Sequence, residues 1–175
     1  MIFPSPPHAP TFDDPLEMLS ACHERIAAQC VTLEKLRVHL TTQGCDAAAQ
    51  QAATRILRYF NTAGQHHHSD EEDDLFPLLQ TTGDATAQRL VGYLLARHQE
   101  LNAAWDALRA ALNKIVAGEL AWLDATQTRA FITAYQAHIA LENTQLLPLA
   151  QQLLSTAQIE QLGRNMSARR GVIFS

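Results

Sequence analysis

The sequence predicts an all-α protein, an up-down-up-down four-helix bundle, and three observations carry the prediction. Gly44, Gly83 and Gly118, and then Gly163, divide the chain into stretches rich in Ala, Leu, Gln and Glu with few β-branched runs. Within each stretch, apolar side chains recur at alternating spacings of three and four, the period of one helix face. The connections are short beside the helices they join, which favours antiparallel neighbours.

The chain has 175 residues, 47% of them hydrophobic, enough for one domain with a real core. Five of the seven prolines fall within the first 15 residues, so residues 1–14 read as an extended lead-in. Asp13-Asp14-Pro15 then starts a helix, with acids near the N-cap and proline in the first turn. The bundle is expected over residues 15–154, and 155–175 as a short fifth helix and tail, with Ser155 as N-cap and the helix crossing one end.

The first stripe is Leu16, Leu19, His23, Ile26, Cys30, Leu33 and Leu40. The second is Ala53, Ile56, Phe60, Ala63, His67, Glu71 and Leu78, with Leu75 beside the line. The third is Val91, Leu94, His98, Leu101, Trp105, Leu108, Leu112 and Ile115; the fourth is Phe131, Tyr135, His138, Glu142, Leu146, Leu149 and Leu153. Each stripe is apolar except in its middle, where the chain places His23, His67 with Glu71, His98, and His138 with Glu142. An unpartnered buried carboxylate costs several kcal/mol and a buried imidazole needs a hydrogen bond, so six such groups on core faces require one common partner. A metal centre supplies it.

The heights agree. With turns near residues 44, 83 and 120, the His67/Glu71 pair lies about 14 residues before its turn and His98 about 15 after it, level at about 1.5 Å rise per residue. A His-x-x-x-Glu pair presents an imidazole and a carboxylate on one face. Four imidazoles and two carboxylates in a bundle core suit two iron or manganese ions, whereas a closed zinc site needs fewer ligands and more sulfur.

The two pairs also belong to an internal echo. His67 to Pro77 and His138 to Pro148 both read His-x-x-x-Glu-x-x-x-Leu-[Phe/Leu]-Pro, offset by 71 residues throughout. Each proline removes a backbone hydrogen bond about one and a half turns past its glutamate, which predicts a kink beyond the site in both helices.

On these motifs, with single histidines on the first and third helices, the sequence resembles the hemerythrin-like family, the His-His-Glu cation-binding domains, over roughly residues 15 to 153. The resemblance implies a four-helix bundle holding a non-haem di-iron centre bridged by both carboxylates and an oxo or hydroxo group. It implies His23, His67, Glu71, His98, His138 and Glu142 as ligands, with manganese or zinc as alternative metals. Two departures stand out. Oxygen-carrying hemerythrins use His-x-x-x-His on the third helix, where this chain has Asn102 four residues after His98, and they end in His-x-x-x-x-Asp rather than His138 and Glu142. One imidazole fewer leaves an ion more open and points away from reversible oxygen storage. Relatives that repair iron-sulfur clusters have a closer ligand set but commonly carry an N-terminal cysteine region without counterpart here.

The expected function is therefore metal-ion binding with a small diatomic ligand, oxygen or nitric oxide, or with iron itself, in sensing, scavenging or stress protection. The alternatives are a di-iron enzyme reducing oxygen, peroxide or nitric oxide or repairing iron-sulfur clusters, and a helical interaction module without metal. Formal charge is −5 with no basic stripe beyond Arg164, Arg169 and Arg170, so no nucleic-acid partner is expected. Three cysteines without a CxxC, no signal-like start and no apolar run of spanning length predict reduced thiols in a cytoplasmic protein without a membrane partner.

Among the remaining residues, His66 and His68 lie about 100° to either side of His67 and are expected at the rim of the site. Asp70, Glu72, Asp73 and Asp74 read as a solvated face, with Glu72 a candidate partner for a ligating histidine. Tyr135, three before His138, is a candidate for the metal pocket; Tyr59 and Tyr93 read as core, Trp105 and Trp122 as packing, His39 as surface and His8 as part of the lead-in.

Overall fold

A computed structural model describes residues 10–173; His8 and most of the predicted lead-in lie outside them. Helix α1 runs Pro15–Gln43, with Pro15 in the first turn, where its missing N–H breaks no bond. Gly44, at φ 75°, turns the chain into α2, Ala47–Asn61, whose free N–H groups are met by the Asp46 side chain at Ala49. The second column continues as α3, Ala63–Ser69, a π-helical turn over Asp70–Leu75, and α4, Phe76–Thr81. Helix α5, Ala85–Val116, is capped by Asp84 and α6, Ala125–Leu141, by Asp124. A second π-helical turn, Glu142–Leu146, leads into α7, Leu147–Leu153. Ser155 and Gln158 close a capping box at the start of α8, Thr156–Arg169. Gly163, one of the punctuating glycines, lies buried inside α8, which spans most of the expected fifth helix.

Helix α2 packs on α1 and α5, and α6 packs on α5 and α1, which closes the predicted four-membered ring of antiparallel helices. No strand occurs among the described residues, and no helix among them is long and apolar enough to cross a membrane.

Where kinks are predicted, each helix widens into a π turn. The backbone N–H of Phe76 reaches the carbonyl of Glu71, and that of Leu147 reaches Glu142, each five residues back. Pro77 and Pro148 follow one residue later; neither can donate, and in an α-helix each ring would press on the carbonyl four residues before it. A wider turn in front of the proline relieves that contact. The extra residue advances the inward face by one position. Leu75, Phe76 and Leu79 are buried, as are Leu146, Leu147, Ala150 and Leu154, while Leu78, Leu149 and Leu153, expected on the stripes, are only partly covered. A break at Thr62 does the same earlier: Ala63 is exposed, and Gly64 is buried where an added Cβ would sit 3.4 Å from the Phe60 ring.

The core falls into two apolar clusters. One, towards the Gly44 end, joins Ile26, Leu33, Ile56, Phe60, Leu108 and Phe131; the other, towards the Gly83 end, joins Leu19, Phe76, Leu79, Val91, Leu94 and Met166. Tyr93 and Trp122, predicted to be inside, are 54% and 58% exposed, and Tyr59 packs at the edge of the first cluster.

Helix α8 is fastened by charge as well as by Leu162 and Met166. Asp70, predicted to be solvated, is fully buried and paired with both Arg169 and Arg170, the latter at 2.6 Å. Asp74 accepts from Arg169 at 2.7 Å and from Asn165 at 2.6 Å. The acid run thus has two faces, and Asp73, 65% exposed and 3.7 Å from Arg169, is its wettest member. Replacing Asp70 with Ala removes the buried partner of Arg170 and Arg169, the latter keeping Asp74, and is expected to cost about 2–3 kcal/mol in urea denaturation. Asp73→Ala is expected to stay within about 0.5 kcal/mol.

Candidate metal centre

Between the two apolar clusters lies one polar layer. It contains all six residues singled out from the sequence: His23 from α1, His67 from α3, Glu71 from the first π turn, His98 from α5, His138 from α6 and Glu142 from the second π turn. All six are buried. The glutamates occupy equivalent places in the echo, each the residue whose own carbonyl closes the π turn. The shared Leu-x-Pro tail therefore sets the backbone directly beneath a candidate ligand.

Donor atoms converge in two groups. In one, His23, His67, Glu71 and Glu142 bring ligand atoms within 4.8 Å of one another; in the other, Glu71, His98, His138 and Glu142 do so. Both glutamates belong to both groups. His23 Nε2 lies 3.7 Å from Glu71 and 3.2 Å from Glu142, and His98 Nε2 lies 3.4 Å from Glu71 and 3.7 Å from Glu142. His67 Nε2 is 3.6 Å from Glu71, and His138 Nε2 is 2.9 Å from Glu142. These are ion-pair distances without hydrogen-bond alignment. Both oxygens of Glu71 and of Glu142, and Nε2 of His23 and His67, are buried with no hydrogen-bond partner. Nε2 of His98 and His138 face each other at 3.0 Å, a separation natural to two nitrogens sharing an ion at about 2.1 Å from each. Orphaned lone pairs of this kind in a dry interior fit a cation and little else.

Outward-facing atoms hold two of the rings. His98 Nδ1 donates to Glu72 at 2.6 Å, as the sequence suggested, and His23 Nδ1 donates to Asn143 at 2.6 Å. With the proton fixed on Nδ1, Nε2 is left to face the centre.

His68 was expected at the rim but is buried, stacked on His98 with centroids 4.0 Å apart, its Nε2 hydrogen-bonded to the Tyr135 hydroxyl at 3.1 Å. No periodicity signal marks it, because the inward face at α3 is two residues wide. Tyr135 reaches the site through this contact. His66 stays outside the polar layer, and His39 pairs with Asp46 near the surface. Cys22 and Cys30 are buried free thiols, and burial raises both above the usual thiol range.

Burial opposes charge on His23 and His98, yet the contacts with Glu142 and Glu71 outweigh it and raise both imidazoles to about 10. Burial also opposes charge on the two glutamates, and the surrounding histidines overcome it, holding both carboxyls below the usual range. His67 is lowered by desolvation. Without metal, then, His23 and His98 carry protons at neutral pH. Their contribution to stability is complete below the ordinary value of 6.5 and is lost as pH rises through about 10. The carboxylates contribute above their ordinary value of 4.5 and lose that contribution as pH falls below it.

A metal ion must displace the two histidine protons, so loading at pH 7.5 is expected to release about two protons per chain, measured calorimetrically in buffers of different ionisation enthalpy. Affinity should rise with pH towards 10. Glu72→Ala, which frees the His98 ring, is expected to weaken metal binding about 10- to 100-fold in a competition titration.

A family model described as Hemerythrin HHE cation binding domain matches residues 14–150. An uncharacterised protein of Haemophilus influenzae is 35% identical over 162 residues, which cover 93% of each chain. The four-helix ring, the polar layer at its middle and this match lead to one conclusion: the chain belongs to the hemerythrin family of His-His-Glu cation-binding domains.

Proposed function

We propose that this chain is a non-haem di-iron protein that binds a small diatomic ligand, oxygen or nitric oxide, or iron itself, in sensing, scavenging or stress protection. The observation that carries the reading is the sharing of Glu71 and Glu142 between two groups that otherwise have separate imidazoles. His23 and His67 would hold one ion, His98 and His138 the other, with both carboxylates between them. Mixed nitrogen and oxygen donors without sulfur suit iron or manganese better than a structural zinc. When bound, an iron pair supplies ligation and redox chemistry to a small molecule.

The chain's own residues prepare the site for that chemistry. Apolar clusters above and below exclude water, Glu72 and Asn143 fix two rings, and two imidazoles and two carboxylates per group leave coordination positions unfilled by protein. A second reading, an enzyme that reduces oxygen, peroxide or nitric oxide, draws on the Tyr135 hydroxyl and His68, a proton-bearing pair beside His98.

Anaerobic loading with ferrous iron, then exposure to oxygen, tests the proposal. About two irons per chain are expected by metal analysis, with visible charge-transfer bands that respond to azide. Loaded protein should melt higher than the chelator-treated form, by about 2.7 kcal/mol of added stability at 100 times the dissociation constant. Glu71→Ala and Glu142→Ala should lose metal while remaining folded. A protein that takes up no metal, and is equally stable without it, contradicts the reading. Turnover of peroxide or nitric oxide by loaded protein, lost in the same variants, would select the enzyme.

A further inference from the structure

The buried layer reaches the surface on one side. A cleft of about 400 Å³ opens between α3, α5 and α6, and its lining includes His68, Glu72, Asn102, Trp105, Asp106 and Tyr135. Two of these touch the centre directly: Glu72 holds His98 through Nδ1, and His68 lies flat against the His98 ring. His68 keeps 8% of its surface open, whereas His23, His67, His98 and His138 keep 0–3%. At about 30 Å³ per liquid water, the cleft has room for roughly a dozen molecules, far more than a diatomic needs. It is a vestibule, and His68 and Tyr135 are the lining residues that contact each other beside the His98 ring.

His68, His98 and His138 also bring ligand atoms within 4.8 Å of one another, so His68 has to be weighed as a further ligand. Ring geometry argues against it. A metal–nitrogen bond of about 2.1 Å lies in the plane of its imidazole, and the His68 and His98 planes are within 15° of parallel with centroids 4.0 Å apart. The in-plane lone pairs of the two stacked rings therefore run side by side and do not converge on one point. Nε2 of His68 is moreover engaged by the Tyr135 hydroxyl at 3.1 Å.

We propose that this cleft is the route by which small molecules, the size of azide or a diatomic, reach the His98–His138 side of the centre, with the hydrogen-bonded His68–Tyr135 pair on its lining. The proposal rests on the di-iron reading above. Asn102, exposed one turn beyond His98, and Asp106, exposed one turn further, stand on the cleft lining, where larger side chains would plug it.

The test uses the full-length, iron-loaded protein and azide as probe, followed by stopped-flow absorbance. Asn102→Phe is expected to slow azide association by about tenfold or more, and Asp106→Phe serves as an independent plug. Gln136→Phe, on an exposed part of α6 lining a different groove, should leave the rate unchanged. His68→Ala should raise the rate with iron content held. A readout that needs no metal accompanies these. With Trp122→Phe, Trp105 becomes the single tryptophan of the two in the chain, and acrylamide quenching of Trp105 in metal-free protein should fall when Asn102→Phe is added. Equal azide rates in the plugged and Gln136→Phe proteins, or iron lost from His68→Ala, would overturn the route while leaving the di-iron reading intact. Wild-type protein that takes up no iron would overturn both.

Discussion

Everything in this molecule is arranged around six buried ligand-type side chains, five of which keep at least one buried polar atom without a hydrogen-bond partner. A bundle core is normally closed by apolar contact, and four imidazoles with two carboxylates across its middle are a standing cost unless a cation occupies the layer. The fold tolerates the layer because it is short along the bundle axis. Apolar clusters above and below hold the helices together on their own, so the donors can be kept in position with no need to contribute packing. In the metal-free protein, protons on His23 and His98 offset the two carboxylates, a neutralisation that a metal exchanges for coordination.

The two glutamates show how a local backbone rule serves a shared site. A proline six residues beyond each forces the helix to widen, and the widened turn closes on the glutamate's own carbonyl. The same device occurs twice, 71 residues apart, on columns that face one another across the layer. The first π turn also turns Asp70 and Asp74 towards the arginines of α8, which ties the last helix to the segment that carries Glu71. Position of the candidate ligand and docking of the C-terminal helix are thus two consequences of one short stretch, Ser69 to Leu75.

The bundle and the six donors were legible in the sequence because both depend on periodicity within a helix. An apolar stripe interrupted at its centre by His or His-x-x-x-Glu can be counted without knowing what lies opposite. What escaped depended on the opposing element. Asp70 looks solvated on a helical wheel, and only the arrival of Arg169 and Arg170 buries it. His68 and Tyr135 are 67 residues apart, and nothing local announces their contact. The π turns fall between these cases. Their signal, the Leu-[Phe/Leu]-Pro tail, was visible in both copies, but a missing backbone donor does not say how the turn before it adapts, and the extra residue that brings Phe76 and Leu147 into the core shows only in three dimensions.

On the reading proposed above, Glu71 and Glu142 would be shared by two ions. Anomalous diffraction at the iron edge from crystals of the loaded protein tests it most directly. The account predicts two peaks about 3.5–4 Å apart, one beside His23 and His67, the other beside His98 and His138, with both glutamates between them. A single peak, or two peaks with either glutamate turned away, would contradict it.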